Sequence, residues 1–391
     1  MSRQLIDRSI DLSRLRDEGF QVEVRGGYLL IHHVPYVTPD RTIDYGTLVS
    51  VLVHNGDTVF PPDNHVIHFA GQHPCNKDGS IISAIKHGSA TQQLLPNLTT
   101  NHSFSNRPAD GYSSYYDKVK RYIDIIMAPA KSLDSSVTAQ TFIVPHEQKE
   151  ESVFQYPDTN SSKAKIAMIS AKFSGLKIGI VGLGGTGAYV LDQVAKTPVG
   201  EIHPFDGDVF LQHNAFRSPG AATYEQILSV QMKVDYYSQL YEAMHKHILP
   251  HAFYLHDGNL SSLDSLSYVF ICVDKNSVRK MLISYLLAKG IPFFDCGLGV
   301  NQVDDALIGT VRVSIGTSHK SDHLEKRVPT EDQEDEIYAS NIQIADLNAL
   351  NAILAVMKWK KMVGFYQDLI QYHNCTYATN ASQLDSTDFA A

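Results

Sequence analysis

"KIGIVGLGGTGAYVLDQVAKTPVGEIHPFDGDVF", residues 177–210, decides the fold predicted for the second half of this chain. A hydrophobic strand over 177–181 leads into a turn that opens a helix, and the turn carries four glycines, Gly182, Gly184, Gly185 and Gly187. Backbone amides at such a turn, together with the positive end of the helix, favour a phosphate group. Asp206 lies nineteen residues beyond Gly187, at the end of the next strand. This arrangement predicts a mononucleotide or dinucleotide site.

The rest of this half alternates between strand and helix patterns. Helices are predicted near 161–173, 186–196, 224–246 and 276–289, and strands near 177–181, 201–205, 251–256, 267–273, 291–296 and 305–315. Such alternation is typical of α/β proteins with a doubly wound parallel sheet. An acidic, irregular segment at 317–340 follows, and then the long apolar helix "IQIADLNALNAILAVMKWKKMVGF".

The first half of the chain has a different character. "FQVEVRGGYLLIHHVPYV" predicts two strands around a Gly-Gly turn, and residues 114–131 predict an amphipathic helix that ends near Pro129. We therefore expect a separate N-terminal domain of mixed or mainly β structure over 1–150, joined by a polar linker at 146–162. The α/β domain is predicted at 160–373, and 374–391 is predicted to be a polar tail.

Composition excludes several classes of protein. The net charge of −9 argues against a nucleic-acid partner, because neutralising phosphates needs a basic surface. No apolar stretch is long enough to span a membrane, and the first twenty residues lack the apolar core of a signal peptide, so a cytoplasmic protein is expected. The four cysteines form no CxxC pair, which makes a disulfide framework or a structural zinc site improbable.

Charged residues after Asp206 distinguish between nucleotide types. They are Asp208, Asn214-x-x-Arg217, Lys233 and, after the strand "SYVFICV", Asp274. A triphosphate that is being cleaved needs positive groups around it, whereas a dinucleotide enzyme has no obvious use for this arginine and lysine. A carboxylate that faces phosphates also favours Mg²⁺. Taken singly, each residue could be a solvated charge or, for Asp274, a helix cap.

With these motifs in order, the segment from about 160 to 366 resembles the ThiF/MoeB/HesA family, the adenylating fold of ubiquitin-activating enzymes. The N-terminal half more weakly resembles the extra domains of some bacterial members. The resemblance implies that the glycines and Asp206 bind ATP, with Asp206 on the ribose and Asp208 nearby. It also implies that Asn214, Arg217 and Lys233 contact the phosphates and that Asp274 organises Mg²⁺. The domain would be Rossmann-like.

The implied reaction is attack of a protein's C-terminal carboxylate on the α-phosphate of ATP, with release of pyrophosphate. The resemblance suggests a ubiquitin-like protein ending in glycine as substrate, in a bacterial conjugation pathway. The N-terminal half would dock this ubiquitin-like protein or a conjugating-enzyme-like partner. Family members pair through this domain, so a homodimer is expected. Alternatives are activation of a sulfur-carrier protein, a catalytically silent scaffold, and, weakest, an NAD-dependent oxidoreductase.

Several positions depart from the family pattern. Ser218 replaces the usual glutamine after the arginine, and Pro204 lies in the strand before Asp206, although central strands tolerate proline poorly. The crossover segment between Cys296 and Cys375 contains no cysteine for a thioester. The acyl group would then pass to a thiol on a partner, or to a hydroxyl of this segment. Candidate hydroxyls are Ser314, Thr317, Ser318, Ser321 and Thr330, with Ser318 or Ser321 preferred and His319 and His323 as bases.

Overall fold

The computed structural model describes residues 2–143, 152–156, 158–164, 166–331 and 342–388. The chain separates into two compact units, which consist of residues 1–152 with 156–171, and residues 153–155 with 172–391. Residues 146–151 and 157 of the predicted linker, and residues 332–341 at the centre of the crossover segment, lie outside the described residues. In the part of the chain that is described, no helix is long and apolar enough to cross a membrane.

The first unit is built on an antiparallel sheet. Its helices are α1 (Ser2–Arg8), α2 (Ile10–Asp17), α3 (Tyr115–Leu133), α4 (Thr159–Lys163) and α5 (Ala167–Ser170). Its strands are β1 (Gln21–Arg25), β2 (Tyr28–Val37), β3 (Ile43–Val51), β4 (His54–Asn55), β5 (Thr58–Val59), β6 (Val66–Ala70), β7 (Lys86–Gly88), β8 (Gln92–Leu95), β9 (Leu98–Thr100) and β10 (His102–Ser105). Six of them form one sheet in the order β1-β2-β3-β6-β10-β7.

The predicted Gly-Gly hairpin is present in this sheet. Gly26 and Gly27 both adopt positive φ, which a tight turn between β1 and β2 requires and which glycine adopts without strain. The helix α3 packs against β2 and buries Val119, Tyr122, Ile123 and Ile126. It continues to Leu133, beyond the end predicted near Pro129. Because the proline lies in the last turns, only one hydrogen bond near the helix end is lost.

The second unit is an α/β structure. Its helices are α6 (Gly185–Val194), α7 (Gln212–Ala215), α8 (Tyr224–Leu228), α9 (Lys233–Glu242), α10 (Asn276–Lys289), α11 (Leu324–Arg327) and α12 (Ala345–Met362). Its strands are β11 (Lys177–Val181), β12 (Glu201–Phe205), β13 (Tyr268–Ile271), β14 (Phe293–Val303), β15 (Ala306–Gly316), β16 (Asn374–Ala378) and β17 (Gln383–Ser386). The sheet order is β12-β11-β13-β14-β15-β16-β17.

Four neighbouring strands, β12, β11, β13 and β14, are parallel, and the last three join the sheet antiparallel. Side chains alternate between two cores: Ile178 and Ile180 pack with α6 and α12, whereas Val181 packs with α10. Helices therefore cover both faces of the sheet, as expected for a doubly wound fold. The carboxyl ends of β11, β12 and β13 meet at one edge of this sheet.

The proline in β12 is compatible with this topology, because β12 is the outermost regular strand. Residues 247–251 run beside β12, where the Ile202 amide donates to the His247 carbonyl and the Asp206 amide donates to the His251 carbonyl. Pro204 lies between these two donors and has no amide to add a third bond. The strand predicted at 251–256 is wrong. The pairing with β12 consists of isolated bridges at Ile248 and His251.

Two helix predictions also need correction. The helix expected over 161–173 is represented by α4, α5 and a short 3₁₀ turn. The helix expected over 224–246 is divided into α8 and α9, with Val230 at positive φ between them. Residues 231–232 instead pair with 209–210, since the Phe210 amide donates to the Gln231 carbonyl at 2.8 Å. Tertiary pairing has overridden local helix propensity here.

The predicted polar tail is not a tail over its described residues. Asn374–Ala378 form β16, which pairs with β15, and Gln383–Ser386 form β17, which pairs with β16. β15 would otherwise present a row of unpaired backbone groups, and the two polar strands satisfy these groups. Polar composition misled the prediction because these strands need little apolar surface at the sheet edge.

Candidate nucleotide site

The glycine loop between β11 and α6 is packed tightly on one side and open on the other. Gly182 has a φ of +89°, and a Cβ there would lie 2.7 Å from the Cys272 carbonyl oxygen. A Cβ on Gly187 would lie 1.8 Å from the Gly182 carbonyl oxygen, so neither position accepts a side chain. A Cβ on Gly184 would meet nothing nearer than the Gln343 side chain at 4.0 Å.

The open side of the loop is suited to an anion. Gly184 is the N-cap of α6 and offers no side chain to the helix. Amides in the first turn of a helix have no intrahelical acceptor, and they carry the positive end of the helix dipole. The space beside Gly184 is therefore a place where a phosphate can approach the backbone closely.

Asp206 ties the end of β12 to the glycine loop. Its carboxylate accepts hydrogen bonds from the Leu183 amide at 2.6 Å and the Asp208 amide at 2.8 Å. The residue is 8% exposed, and this burial raises the pKa of Asp206 although Lys233 and the two amides act in the opposite direction. Sequence reasoning expected only a ligand contact, but the carboxylate also holds the loop in place.

Lys233 and Asp208 form an ion pair beside Asp206. The Lys233 Nζ lies 2.6 Å from Asp208 Oδ2 and 3.8 Å from Asp206 Oδ1. Tyr254, which sequence reasoning missed, donates its hydroxyl to Asp208. Burial raises the pKa of Asp208, but the bonds from Lys233 and Tyr254 outweigh burial and hold that pKa below its usual value. Lys233 is buried at the first position of α9, so it is not the solvated charge that it could be when taken singly.

Asn214 and Arg217 lie in and after the short helix α7. The Asn214 side chain accepts from the Leu211 amide at 2.8 Å, so its oxygen caps α7. Ser218, at the position where the family pattern has glutamine, donates to the Asn214 carbonyl at 2.6 Å. The Nε of the half-buried Arg217 is itself buried and finds no acceptor among the described residues. A buried donor without a partner is costly, which marks Arg217 as a group that a ligand anion would satisfy.

Asp274 is exposed beyond the carboxyl end of β13. Asp274 is not the N-cap of α10, because Lys275 occupies that position. The charge of Asp274 helps to raise the pKa of Tyr254, which places it on the side of the site where Asp208 lies. No group of three His, Cys, Asp or Glu side chains suited to a metal ion occurs among the described residues. Asp274 could therefore hold Mg²⁺ only together with ligand phosphates and water.

Arg279, in the first turn of α10, lies in the core. It donates to Asp295 at 2.9 Å and to the Val273 carbonyl at 2.7 Å. Arg312 reaches the other oxygen of Asp295 at 2.7 Å, and Asp295 is fully buried. This group of three charges joins α10, β14 and β15, and it supports the segment that presents Asp274.

The cysteines and the described part of the crossover segment limit the candidate nucleophiles. Cys296 is buried, and the neighbouring Cys272 thiol together with burial raises its pKa, which disfavours a thiolate. Ser314 is also buried and donates to Asn374 at 2.7 Å, so it is not an acceptor for an external acyl group. His323 is buried as well, which removes it as a base for an exposed serine. Ser318 and His319 are exposed.

Comparisons with known proteins give one family match and several solved structures. Residues 10–159 match a family model described as a domain of unknown function, DUF6791. A search of curated proteins finds no match. Solved structures with a similar fold include Escherichia coli MccB with MccA-N7isoASN, at 16% identity and a TM-score of 0.48, covering 71% of this chain and 83% of that one.

Two further solved structures match this chain at similarly low sequence identity. SeMet PaaA is 15% identical with a TM-score of 0.46, covering 56% of this chain and 75% of that one. E. coli tRNA N6-threonylcarbamoyladenosine dehydratase, TcdA, is 16% identical with a TM-score of 0.39, covering 52% and 92%. At such identities and TM-scores, these likenesses decide neither the family nor the activity of this chain.

Proposed function

We propose that the second unit is an ATP-dependent adenylating enzyme that activates the C-terminal carboxylate of a protein substrate. One observation carries the proposal: three features lie together beyond the carboxyl edge of the sheet. They are an open glycine loop, Arg217, whose buried Nε has no acceptor in the described part of the chain, and the ion pair of Lys233 with Asp208. Cations beside a phosphate-binding loop stabilise the charge that develops when a phosphoanhydride bond breaks.

In this reaction a carboxylate oxygen of the substrate attacks the α-phosphorus of ATP, the bond to the β-phosphate oxygen breaks, and pyrophosphate leaves with the electron pair. No general base is required, because a carboxylate is ionised near neutral pH. The amides beside Gly184 and the Arg217 guanidinium would hold the phosphates, and Asp206 would accept from the ribose with its remaining lone pairs. Mg²⁺, held by Asp274, would supply further positive charge.

The finer assignments belong to the same proposal. The substrate is a ubiquitin-like protein ending in glycine, in a bacterial cytoplasmic pathway, and the first unit docks this protein or a conjugating-enzyme-like partner. The second candidate substrate is a sulfur-carrier protein, since both would present the same carboxylate. The protein works as a homodimer, to which the exposed Ile353 and Met357 of α12 could contribute apolar surface. A monomer mass by light scattering at micromolar concentration would contradict the dimer.

Pyrophosphate exchange tests the activity. Arg217→Ala and Asp274→Ala are each expected to lower the ATP–pyrophosphate exchange rate by about 10²–10³-fold in the presence of a small protein ending in glycine. Lys289→Ala is the matched control, because Lys289 is a charged residue of the same unit whose ion pair with Asp264 lies at the surface. Exchange at the wild-type rate in both site variants would refute the assignment, and binding of NAD without ATP would refute the reaction.

The chemical stability of any covalent adduct distinguishes between the possible routes of acyl transfer. Direct transfer to a thiol of a partner leaves no adduct on this chain. Transfer to Ser318 or Ser321 would give an oxyester that resists a reductant and yields to strong base. The buried Ser314 and His323 take no part in this route.

A further inference from the structure

Asn348 lies in the first turn of α12, far in sequence from the glycine loop, and is 1% exposed. Its Oδ1 accepts a hydrogen bond from the Thr186 hydroxyl at 2.9 Å, and its Nδ2 donates to the Arg217 carbonyl at 3.3 Å. One buried amide thus joins the glycine loop, the segment that carries Arg217, and α12.

The orientation of the Asn348 amide follows from its neighbours. The Arg217 carbonyl oxygen can only accept, so the nitrogen of the amide must face it. The Thr186 hydroxyl can donate to the remaining oxygen. The reversed amide would place two oxygens against each other at Arg217.

The Asn348 amide packs closely against the glycine loop. A Cβ on Gly185 would lie 2.0 Å from Asn348 Nδ2 and 2.8 Å from the Arg217 carbonyl oxygen. Gly185 is therefore required by the close approach of Asn348 to the loop. The glycine is predicted from the sequence as a ligand-binding position, but its immediate neighbours are these two groups.

The backbone anchor matters for Arg217 because one nitrogen of its side chain is not satisfied by the described part of the chain. Its Nε has no acceptor among the described residues, so the guanidinium receives no restraint there in the absence of a ligand. The backbone bond to Asn348 then sets where this side chain starts.

We propose that Asn348 is a positioning residue that fixes the glycine loop and Arg217 relative to each other before nucleotide binds. The inference rests on the proposed ATP site. Its effect is preorganisation: the loop amides and the guanidinium are held at the spacing that the phosphates need, and no ordering cost is left to the binding step.

Asn351 provides a matched control one turn further along α12. It is also fully buried, and its Nδ2 donates to the Gly297 carbonyl at 3.0 Å, away from the glycine loop. Asn351→Ala removes the same chemical group from the same helix. A merely structural role for Asn348 predicts the same result for both alanine variants.

The experiment measures hydrogen exchange of the glycine-loop amides in the full-length protein without ligand, and ATP binding by calorimetry. In Asn348→Ala, loss of the hydrogen-bonded anchor is expected to reduce protection of residues 183–188 by about tenfold and to weaken ATP binding by a similar factor. Asn351→Ala is expected to leave both unchanged. Asn348→Asp provides a pH readout, because only the protonated acid can donate to the Arg217 carbonyl, so its ATP binding should recover as the pH falls.

The outcomes separate this inference from the adenylation proposal. Wild-type protein that binds ATP together with an Asn348→Ala variant that behaves like Asn351→Ala would overturn the role of Asn348 and leave the function intact. Loss of loop protection in Asn348→Ala with no ATP binding by the wild type would overturn the function and keep the positioning role. Unchanged protection and no ATP binding would overturn both.

Discussion

Substitution of Lys233 by methionine tests the charge cluster at the sheet edge. Methionine keeps the apolar stem but leaves Asp206 and Asp208 without their cation. Removing one partner of a buried pair costs about 3–5 kcal/mol of unfolding free energy. The Asp208 side chain is 50% exposed and can be re-solvated, and Asp206 keeps two amide donors. We therefore expect a loss of about 2–3 kcal/mol at pH 7.

The loss should depend on pH in a defined direction. The folded-state pKa of Asp206 already lies above 3.8, and removal of Lys233 raises it further. In the variant, Asp206 binds a proton more readily in the folded than in the unfolded state, so the stability of the variant falls as the pH rises from about 4 towards neutrality. The depressed pKa of Asp208 also rises without Lys233, which acts in the same direction. The deficit relative to the wild type is thus largest near neutral pH and shrinks towards pH 4.

Trp359 makes the assay specific to the second unit. It is the single tryptophan of the chain, and it is fully buried between α12 and the sheet. Urea unfolding followed by its fluorescence, at pH 7 and at pH 4.5, reports on this unit without interference from the first. Lys289→Met, at an exposed ion pair, is the control and should change little. A deficit of equal size at both pH values would refute the electrostatic reasoning.

Three further results are expected. Gly187→Ala should destabilise the second unit because the new Cβ would collide with a backbone carbonyl. Gly184→Ala should keep the thermal stability of the wild type but weaken ATP binding. Equal melting temperatures of the two variants would contradict this interpretation. Asp295→Asn leaves the buried Arg279 and the half-buried Arg312 without their carboxylate and should cost about 3–5 kcal/mol by urea unfolding, so a wild-type midpoint would refute the role of this group. Burial lowers the pKa of His245 to about 4, so the second unit should lose stability as the pH falls from 6.5 to 4. His245→Gln should reduce this pH dependence of stability, as measured by Trp359 fluorescence during unfolding.

Local patterns were enough to predict part of the fold. The strands at 177–181 and 201–205 and the helix at 276–289 have the predicted bounds, since each has its own hydrophobic period and a clear terminus such as Gly290. The segments that differ depend on distant partners. The helix at 224–246 divides because its centre pairs with 209–210, and residues 374–386 become strands because β15 has a free edge.

Prediction of the site from sequence was limited in the same way, because it too depends on contacts between distant residues. Sequence reasoning proposed the glycines, Asp206, Lys233 and Arg217 as site residues, because their order along the chain is informative. It could not show that Lys233 is buried against two carboxylates, which is a property of the folded chain alone. Asn348 was missed because its hydrogen bond to Thr186 joins residues 162 positions apart. Its signal in sequence was that it and Asn351 are two asparagines among the apolar residues of this helix.

The pairing of β16 with β15 has a consequence for synthesis of the chain. β15 ends at Gly316, whereas β16 ends at Ala378, 62 residues later. At typical translation rates of 5–20 residues per second, this interval lasts roughly 3–12 s. During that time the ribosome-bound chain exposes an unpaired, long and largely apolar strand, which can template association with other nascent chains. Yield in a cell should therefore depend on how quickly residues 374–378 are translated, or on a chaperone that covers this edge until they arrive.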